Sequence, residues 1–260
     1  MHRETMKKEA AEKLYNALAG CEPIDVLSDT YPELTVEDAY EIQLMNVKRY
    51  VGEGEIISGR KIGLTSKPMQ ELLGISEPDY GHLYESMNKK DGIVFMKDVI
   101  APKAEGEIAF VLKEDLAGPD VTVEDVYRAT DYVMAAIEIV DSRIKEWKIK
   151  LVDTVADNGS SSCYVLSGNK VKLDDVSLTD IEMTVYKNGE RVNSGKGSDV
   201  LGNPAVSIAW LANKLFKYGI TLKKGELILS GAITAAPSAS ENDVFDFEFC
   251  QLGNVKVTFK

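Results

Sequence analysis

Residues 182–192 read EMTVYKNGERV, two runs of strand-forming residues separated by Asn188-Gly189. An Asn-Gly pair is the strongest short-range hairpin signal, because both residues tolerate the positive φ angles of a type I′ turn. A second hairpin is predicted where residues 244–249 and the alternating apolar residues of 255–259 flank a turn at residues 252–254. These two hairpins require antiparallel strand pairing in the last third of the chain.

Helical patterns precede these strands. Apolar residues recur at helical spacing over residues 6–18, and Gly20 is placed to end that helix. Thr35 and Asp38 form a predicted capping box that opens a second helix towards Tyr50. The sequence therefore predicts a helical segment of about fifty residues at the N-terminus.

Further elements follow in the middle of the chain. Thr122 and Asp125 predict another capped helix, and the apolar run at residues 132–140 fits either a strand or a buried helix. Asn203-Pro204 caps a helix that is expected to end at Gly219. Interspersed helices and antiparallel hairpins place the chain in the α+β class.

Composition limits the function classes. The 260 residues carry a net charge of −12, which argues against nucleic acid and anionic membrane surfaces as partners. A small anionic substrate would need a local cation, either a metal ion or a placed Lys. Cys21, Cys163 and Cys250 form no disulfide or zinc pattern, and no signal peptide or membrane span is predicted. We therefore expect a soluble protein of the reducing cytoplasm.

Glu105 and Glu107 lie two residues apart on a predicted strand, in the stretch PKAEGEIAF at residues 102–110. Side chains alternate between the two faces of a strand, so both carboxylates are expected on one face. Adjacent like charges repel unless a cation lies between them or water screens both. The pair alone fits either a metal site or an exposed acidic face of a strand.

Glu138 lies within the apolar run at residues 133–140, where an ionised carboxylate is costly unless it is paired or coordinated. With Glu105 and Glu107 it would form an oxygen-only donor set, which suits Mg²⁺ or Mn²⁺ better than Zn²⁺. The alternative for Glu138 is an ion pair with Arg143 or Lys145.

Three other stretches could contact a ligand. Lys61 lies between two glycines that permit close approach, and it could bind a substrate carboxylate or be a solvated Lys on an edge strand. Asp79 lies in a predicted turn at residues 78–81, where a role as a backbone cap is favoured over a role in activating water. Residues 153–162 are small and polar, which is typical of a ligand-binding loop or of a plain turn.

Five longer motifs occur in a defined order: GRKIGLTSK (59–67), LLGISEPDYGHL (72–83), PKAEGEIAFVLKEDLAGP (102–119), EIVDSRIKEWKIKLVDTVADN (138–158) and SGKGSDVLGNP (194–204). Together they resemble the 2-hydroxypenta-2,4-dienoate (2-oxopent-4-enoate) hydratase family of the fumarylacetoacetate hydrolase superfamily. The resemblance extends from about residue 35 to the end.

The resemblance implies a mixed β-roll core with flanking helices, homo-oligomeric assembly and a bound Mg²⁺ or Mn²⁺. A small helical N-terminal part, residues 1–54, would precede a catalytic β-roll domain at residues 55–260. The three metal carboxylates of the family correspond to Glu105, Glu107 and Glu138.

The implied activity is hydration of 2-hydroxypenta-2,4-dienoate to 4-hydroxy-2-oxopentanoate in the meta-cleavage catabolism of aromatic compounds. The active-site lysine of the family corresponds to Lys61, its aspartate to Asp79 and its serine to Ser160. Lys61 is expected to orient the substrate carboxylate or relay a proton, and Asp79 to position or deprotonate water.

Two alternatives stay open. The sister family, 4-oxalocrotonate (2-oxo-3-hexenedioate) decarboxylase, is similar in residues 30–32 and 231–236, whereas Asp79 and residues 147–149 favour the hydratase. We give more weight to Asp79 because function depends on the site rather than on the scaffold. The other alternative is a non-catalytic partner subunit, since enzymes of this pathway associate with each other, but clustered carboxylates argue against it.

Overall fold

The computed structural model describes residues 2–66, 70–71 and 75–260. Lys67 of the first motif and residues 72–74 of the second motif therefore lie outside the described residues. The described helices are α1 (His2–Gly20), α2 (Leu27–Thr30), α3 (Val36–Gly52), α4 (Val123–Ala129), α5 (Leu151–Ala156) and α6 (Pro204–Phe216).

The described strands form two mixed sheets. They are β1 (Ile57–Gly63), β2 (Asp79–Tyr84), β3 (Ile93–Val94), β4 (Lys103–Leu112), β5 (Thr130–Val140), β6 (Ser161–Leu166), β7 (Glu182–Lys187), β8 (Glu190–Lys196), β9 (Leu227–Leu229), β10 (Val244–Phe249) and β11 (Gly253–Phe259). One sheet has the order β2-β1-β9-β4-β5-β6 and the other β3-β11-β10-β7-β8. Strand pairs β1/β9 and β3/β11 are parallel and the other pairs are antiparallel, so the predicted mixed α+β class is confirmed.

Local sequence signals predicted several elements correctly. Thr35 and Thr122 both accept a hydrogen bond from the backbone N–H three residues on, which completes the predicted capping boxes of α3 and α4. Asn188 and Gly189 have φ angles of 55° and 83°, as the predicted turn between β7 and β8 requires. The ambiguous run at residues 132–140 is a strand, because it pairs on both sides within the first sheet.

The C-terminal end of α6 differs from the prediction. The helix ends at Phe216 rather than at Gly219. Gly219 has a φ of 69° and closes the turn that follows, and the N–H of Ile220 donates to the carbonyl of Leu215 at 3.1 Å. The glycine therefore marks the reversal of the chain after the helix rather than its last turn.

Two predicted loops are regular elements. Residues 79–84 form β2 rather than a turn, since Asp79 pairs with Gly63 in the antiparallel ladder of β1 and β2. Pairing and burial outweigh the turn propensity of this segment. The start of the predicted polar loop is helix α5, because the Asp153 carboxylate accepts the backbone N–H of Lys150 at 2.8 Å and caps the helix.

A continuous hydrophobic core joins the N-terminal helices to the sheets. Ala10 and Leu14 of α1 and Tyr40 of α3 belong to the same buried cluster as Phe110 of β4. α3 packs on both α1 and α5. Among the described residues, no helix combines the length and the apolar character needed to cross a bilayer. Within the first sheet β4 and β5 are neighbours, and β9 lies between β1 and β4. The core therefore encloses polar residues of all three strands in one region.

Candidate functional site

Three glutamates on β4 and β5 converge. Glu105 and Glu138 are directly opposite each other in the antiparallel ladder, and Glu107 lies two residues further along β4. One carboxylate oxygen from each lies within 4.8 Å of the others. The predicted common face of Glu105 and Glu107 therefore exists, and Glu138 faces the same side.

Burial separates this cluster from an ordinary acidic surface. Glu107 and Glu138 are fully buried, and Glu105 is partly buried. Glu107 Oε2 accepts the backbone N–H of Gly231 at 2.7 Å. Within the described part of the chain, Glu107 Oε1 and both oxygens of Glu138 have no hydrogen-bond partner. The alternative of an exposed acidic strand face is therefore wrong.

Lys61 supplies a cation beside the cluster. Its strand β1 is the second strand of the sheet order, and its side chain is buried. The Lys61 Nζ lies 3.4 Å from Glu138 Oε2 and donates to the carbonyl of Gly159 at 3.0 Å. The alternative of a solvated Lys on an edge strand is wrong, because β2 and β9 cover both edges of β1.

The alternative partners of Glu138 are engaged elsewhere. Arg143 forms a buried ion pair with Asp157, and Lys145 lies 2.7 Å from Asp25 at the surface. The Arg143 guanidinium also donates to the carbonyls of Asp141 and Ser161, so chain geometry directs it away from Glu138. The alternative of an ion pair between Glu138 and either of these residues is therefore wrong.

Asp79 lies next to Lys61 because β1 and β2 bring Gly63 and Asp79 together. A Cβ at Gly63 would come 2.2 Å from Asp79 Oδ1 and 3.1 Å from Lys61 Nζ, so this approach requires glycine. Asp79 is buried, and its Oδ1 has no hydrogen-bond partner among the described residues. The interpretation of Asp79 as a turn cap is wrong, since the residue belongs to a strand.

Burial and charge shift the pKa values of these groups. Burial raises the pKa of Glu105 to about 7, and burial together with repulsion from Glu138 raises the pKa of Glu107 well above its ordinary range. Burial also raises the pKa of Asp79, although Lys61 opposes this shift. Burial lowers the pKa of Lys61, but attraction to Glu138 and other carboxylates outweighs it, so the pKa is raised. Lys61 is therefore a cation at neutral pH.

Ser160 reaches this site through neighbouring residues. It is buried, and its Oγ donates to Asp157 Oδ2 at 3.3 Å and lies 3.4 Å from Thr154 Oγ1. The Thr154 hydroxyl also faces the Asp79 carboxylate and opposes the rise in the pKa of Asp79. The segment from Thr154 to Ser160 thus joins Asp79 to the buried pair of Asp157 and Arg143.

Sequence reasoning gave Gly231 no role at the site, and it included Thr154 and Gly159 only as members of the polar stretch at residues 153–162. Gly159 and Gly231 contribute only backbone groups, and no side-chain pattern can identify a backbone donor or acceptor. Gly231 comes two residues after the end of β9, and its φ of 109° suits glycine alone. A glycine after a strand was the available signal at Gly231, and the small polar composition of residues 153–162 was the signal at Thr154.

The donor set fits a hard divalent cation. All three side chains offer oxygen, and the buried oxygens without partners are costly unless an ion or a proton compensates them. Lys61 provides one positive charge against three carboxylates and Asp79. The residues present therefore match the charge and ligand type of such a cation without any rearrangement of the strands.

Comparison with known proteins identifies the family. Residues 80–260 match the fumarylacetoacetate (FAA) hydrolase C-terminal model. The chain is 45% identical to 2-hydroxyhexa-2,4-dienoate hydratase of Comamonas testosteroni, covering 95% of each chain. It is 42% identical to 2-keto-4-pentenoate hydratase of Paraburkholderia xenovorans (strain LB400), covering 98% of this chain and 95% of the relative.

A solved structure shares the fold over the whole chain. 4-Oxalocrotonate decarboxylase from Pseudomonas putida G7, complexed with magnesium and adipate, is 36% identical to this chain. It superposes with a TM-score of 0.96, covering 100% of this chain and 99% of the decarboxylase. The chain belongs to the fumarylacetoacetate hydrolase family.

Proposed function

We propose that this protein is a metal-dependent hydratase that converts 2-hydroxypenta-2,4-dienoate to 4-hydroxy-2-oxopentanoate in the meta-cleavage catabolism of aromatic compounds. The observation that carries the proposal is the convergence of three glutamates, two fully buried and one partly buried, beside Lys61 and Asp79. The relatives at 45% and 42% identity are both named as hydratases of short unsaturated 2-oxo or 2-hydroxy acids, which supports this reaction class.

Glu105, Glu107 and Glu138 would hold the metal, and we propose Mg²⁺ or Mn²⁺. Both ions favour carboxylate oxygens, and neither needs a Cys or His ligand. When bound, such an ion supplies a Lewis acid that polarises a carbonyl oxygen of the substrate. The complex of the decarboxylase with magnesium supports the choice of a divalent cation.

Lys61 would bind the substrate carboxylate. An ammonium has three N–H donors, of which one goes to the Gly159 carbonyl and one faces Glu138. The third remains for an anionic substrate, and the buried position makes a charge-assisted hydrogen bond strong. In a chain with a net charge of −12, a cation at this position compensates the repulsion that an anionic substrate meets.

Asp79 would be the general base. Its raised pKa brings the carboxylate closer to neutral pH, where proton transfer from water is most efficient. The dienol first ketonises, losing the proton of its 2-hydroxyl and gaining one from solvent at C5, which leaves a C3=C4 double bond conjugated to the 2-oxo group. The water oxygen then bonds to C4 while Asp79 Oδ1 accepts a proton from that water, and C3 takes up a proton from solvent. Ser160 would act through Thr154, whose hydroxyl orients Asp79.

The second candidate activity is decarboxylation of 2-oxo-3-hexenedioate. It is favoured by the TM-score of 0.96 with 4-oxalocrotonate decarboxylase and by the resemblance of residues 231–236 to that family. A decarboxylase releases CO₂ and needs no water-activating base, so the carboxylate at Asp79 favours the hydratase.

The test compares both substrates with the same protein. The full chain with Mg²⁺ is incubated separately with 2-hydroxypenta-2,4-dienoate and with 2-oxo-3-hexenedioate, and hydration product and CO₂ are measured. We expect 4-hydroxy-2-oxopentanoate from the first and no CO₂ from the second. If CO₂ is released and no hydration product forms, the protein is the decarboxylase. If the protein binds Mg²⁺ but forms neither product, both activities are contradicted. Glu107→Gln is the inactive control.

We further propose that the two sheets form the mixed β-roll of the family, with residues 1–54 as a helical N-terminal part and residues 55–260 as the catalytic domain. We also propose a homo-oligomer in the cytoplasm that can associate with a sister enzyme of its pathway. Light scattering after size-exclusion chromatography tests the assembly. If the protein binds Mg²⁺ but turns over neither substrate alone or with a sister enzyme, the alternative of a non-catalytic partner subunit gains support.

A further inference from the structure

A cavity that is partly open to solvent lies beside the site described above. It has a volume of about 310 Å³ and is bounded by α1, α3, β2 and the start of β6. Of the described residues, none of the three clustered glutamates lines it, and neither does Lys61. Small-molecule sites in proteins begin at about 300 Å³, so this cavity is large enough for a small organic ligand.

One wall of the cavity is apolar and aromatic. It is formed by Leu14, Val47, Tyr50, Tyr84 and Met87. The rings of Tyr50 and Tyr84 meet edge to face, with their centroids 5.6 Å apart. Aromatic side chains favour flat, unsaturated partners through stacked and edge-to-face contacts. This wall therefore suits a planar hydrocarbon body.

The lining of the cavity also includes polar side chains that can donate hydrogen bonds, among them Ser161 and Lys89. Ser161 is buried, and its Oγ has no hydrogen-bond partner within the described part of the chain. Lys89 lines the cavity and forms no ion pair with any described residue. Asp157 already accepts two hydrogen bonds from Arg143, while Glu55 lies beside Tyr50 of the aromatic wall.

We propose that this cavity binds a small carboxylic acid with an aromatic or conjugated body. The ligand carboxylate would accept hydrogen bonds from Lys89 and Ser161, and its body would pack against Tyr50 and Tyr84. Pairing with an anion would satisfy the buried Ser161 hydroxyl, which has no hydrogen-bond partner among the residues that the structure describes. This site lies outside the proposed catalytic centre, and the proposal holds whichever reaction that centre performs.

The cavity is connected to Lys61 through one strained segment. Asn158, Gly159 and Ser160 have consecutive φ angles of 57°, 61° and 52°. Asn158 lines the cavity, whereas the Gly159 carbonyl accepts from Lys61. Left-handed residues other than glycine each cost about 1 kcal/mol or more, so hydrogen bonds to the His82 backbone hold this segment in place. We therefore expect a ligand in the cavity to change the environment of the Gly159 and Ser160 backbone.

The test uses benzoate as the probe and the metal-free full chain, so that the probe cannot bind through a metal ion. Isothermal titration calorimetry compares the wild type with Lys89→Gln, and Lys90→Gln is the matched control because Lys90 is exposed and does not line the cavity. We expect equal binding by the wild type and Lys90→Gln, and about tenfold weaker binding by Lys89→Gln, from the loss of one charge-assisted hydrogen bond.

Benzamide, which has the same shape without the charge, tests the wild type alone and is expected to bind about tenfold more weakly than benzoate. Ser161→Ala should also weaken benzoate, and ¹⁵N spectra should show shifts of the Gly159 and Ser160 amides on titration. The proposal is overturned if benzoate does not bind below about 10 mM, or if Lys89→Gln and benzamide leave the affinity unchanged.

Discussion

Two buried charged clusters lie close together in this protein, and their hydrogen bonding differs. Arg143 and Asp157 satisfy each other, and the remaining Arg143 donors reach the carbonyls of Asp141, Asp157 and Ser161. In the glutamate cluster, by contrast, Glu138 has no hydrogen-bond partner among the described residues and a single cation beside it.

The difference separates a structural ion pair from a functional site. Burial raises the pKa of Asp157 to about 6, yet the Arg143 charge and hydrogen bonds oppose that shift and compensate the carboxylate locally. The glutamates repel each other instead, and burial raises the pKa of Glu105 to about 7. An arrangement of this kind costs stability unless a bound cation compensates it, which supports the proposed metal site.

The largest expected effect is on catalysis. Glu138→Gln keeps the shape of the side chain but removes one metal-ligand charge, so we expect kcat/KM for hydration to fall by about 10³-fold. Isothermal titration should show a parallel loss of Mg²⁺ affinity. The matched control is Glu248→Gln, an exposed position on β10. If Glu138→Gln bound Mg²⁺ as tightly as the wild type, Glu138 would not be a metal ligand. The contrast between the glutamate cluster and the Arg143–Asp157 pair would then lose its basis.

The second prediction concerns stability. Asp157→Asn leaves Arg143 buried without a counter-charge, which should lower the free energy of unfolding by about 3 kcal/mol. In metal-free protein Glu138→Gln should cost less, because it also relieves repulsion. Urea unfolding measures both variants, with the exposed Asp175→Asn as the control. The two clusters would not differ in kind if Glu138→Gln destabilised the metal-free chain more than Asp157→Asn does.

The third prediction sharpens the role of Asp79 within the functional cluster. Asp79→Asn keeps the size of the side chain but cannot accept a proton, so we expect kcat to fall by about 10²-fold with little change in Mg²⁺ affinity. The pH profile of the remaining activity should lose its acidic limb. Hydration at the wild-type rate would exclude Asp79 as the base.

The smallest effect is a pH-dependent change in melting temperature. The pKa of Glu105 rises from 4.5 to about 7 on folding, so the folded metal-free chain retains a proton that the unfolded chain releases between these pH values. Its contribution to stability is full below pH 4.5 and is lost as the pH rises to 7. Mg²⁺ binds the ionised form and should restore this loss.

At a tenfold excess over its dissociation constant, Mg²⁺ should raise the melting temperature by about 3–5 °C at pH 7 and by less at pH 5. Differential scanning fluorimetry measures the difference in melting temperature between the Mg²⁺-loaded and the metal-free protein. The Asp157 pair titrates in the same range with or without metal, so it cancels in this difference. If Mg²⁺ raised the melting temperature equally at pH 5 and pH 7, that result would argue against metal binding by the ionised glutamates.

Sequence alone determined the elements that depend on neighbouring residues. The capping boxes at Thr35 and Thr122 and the turn at Asn188-Gly189 use side chains within three positions of each other, so the linear pattern contains all the necessary information. Alternation along β4 likewise directs Glu105 and Glu107 to one face. The family motifs identified the same residues by resemblance.

Only the tertiary structure decided which of these residues meet. Lys61 and Glu138 are 77 positions apart in the chain, yet the sheet that contains both β1 and β5 brings Lys61 Nζ to 3.4 Å from Glu138 Oε2, although β9 and β4 lie between those two strands. The turn propensity of residues 78–81 was overridden by pairing with β1, since burial and a ladder of hydrogen bonds outweigh local preference. Strand order depends on contacts between distant segments, and no local pattern contains it.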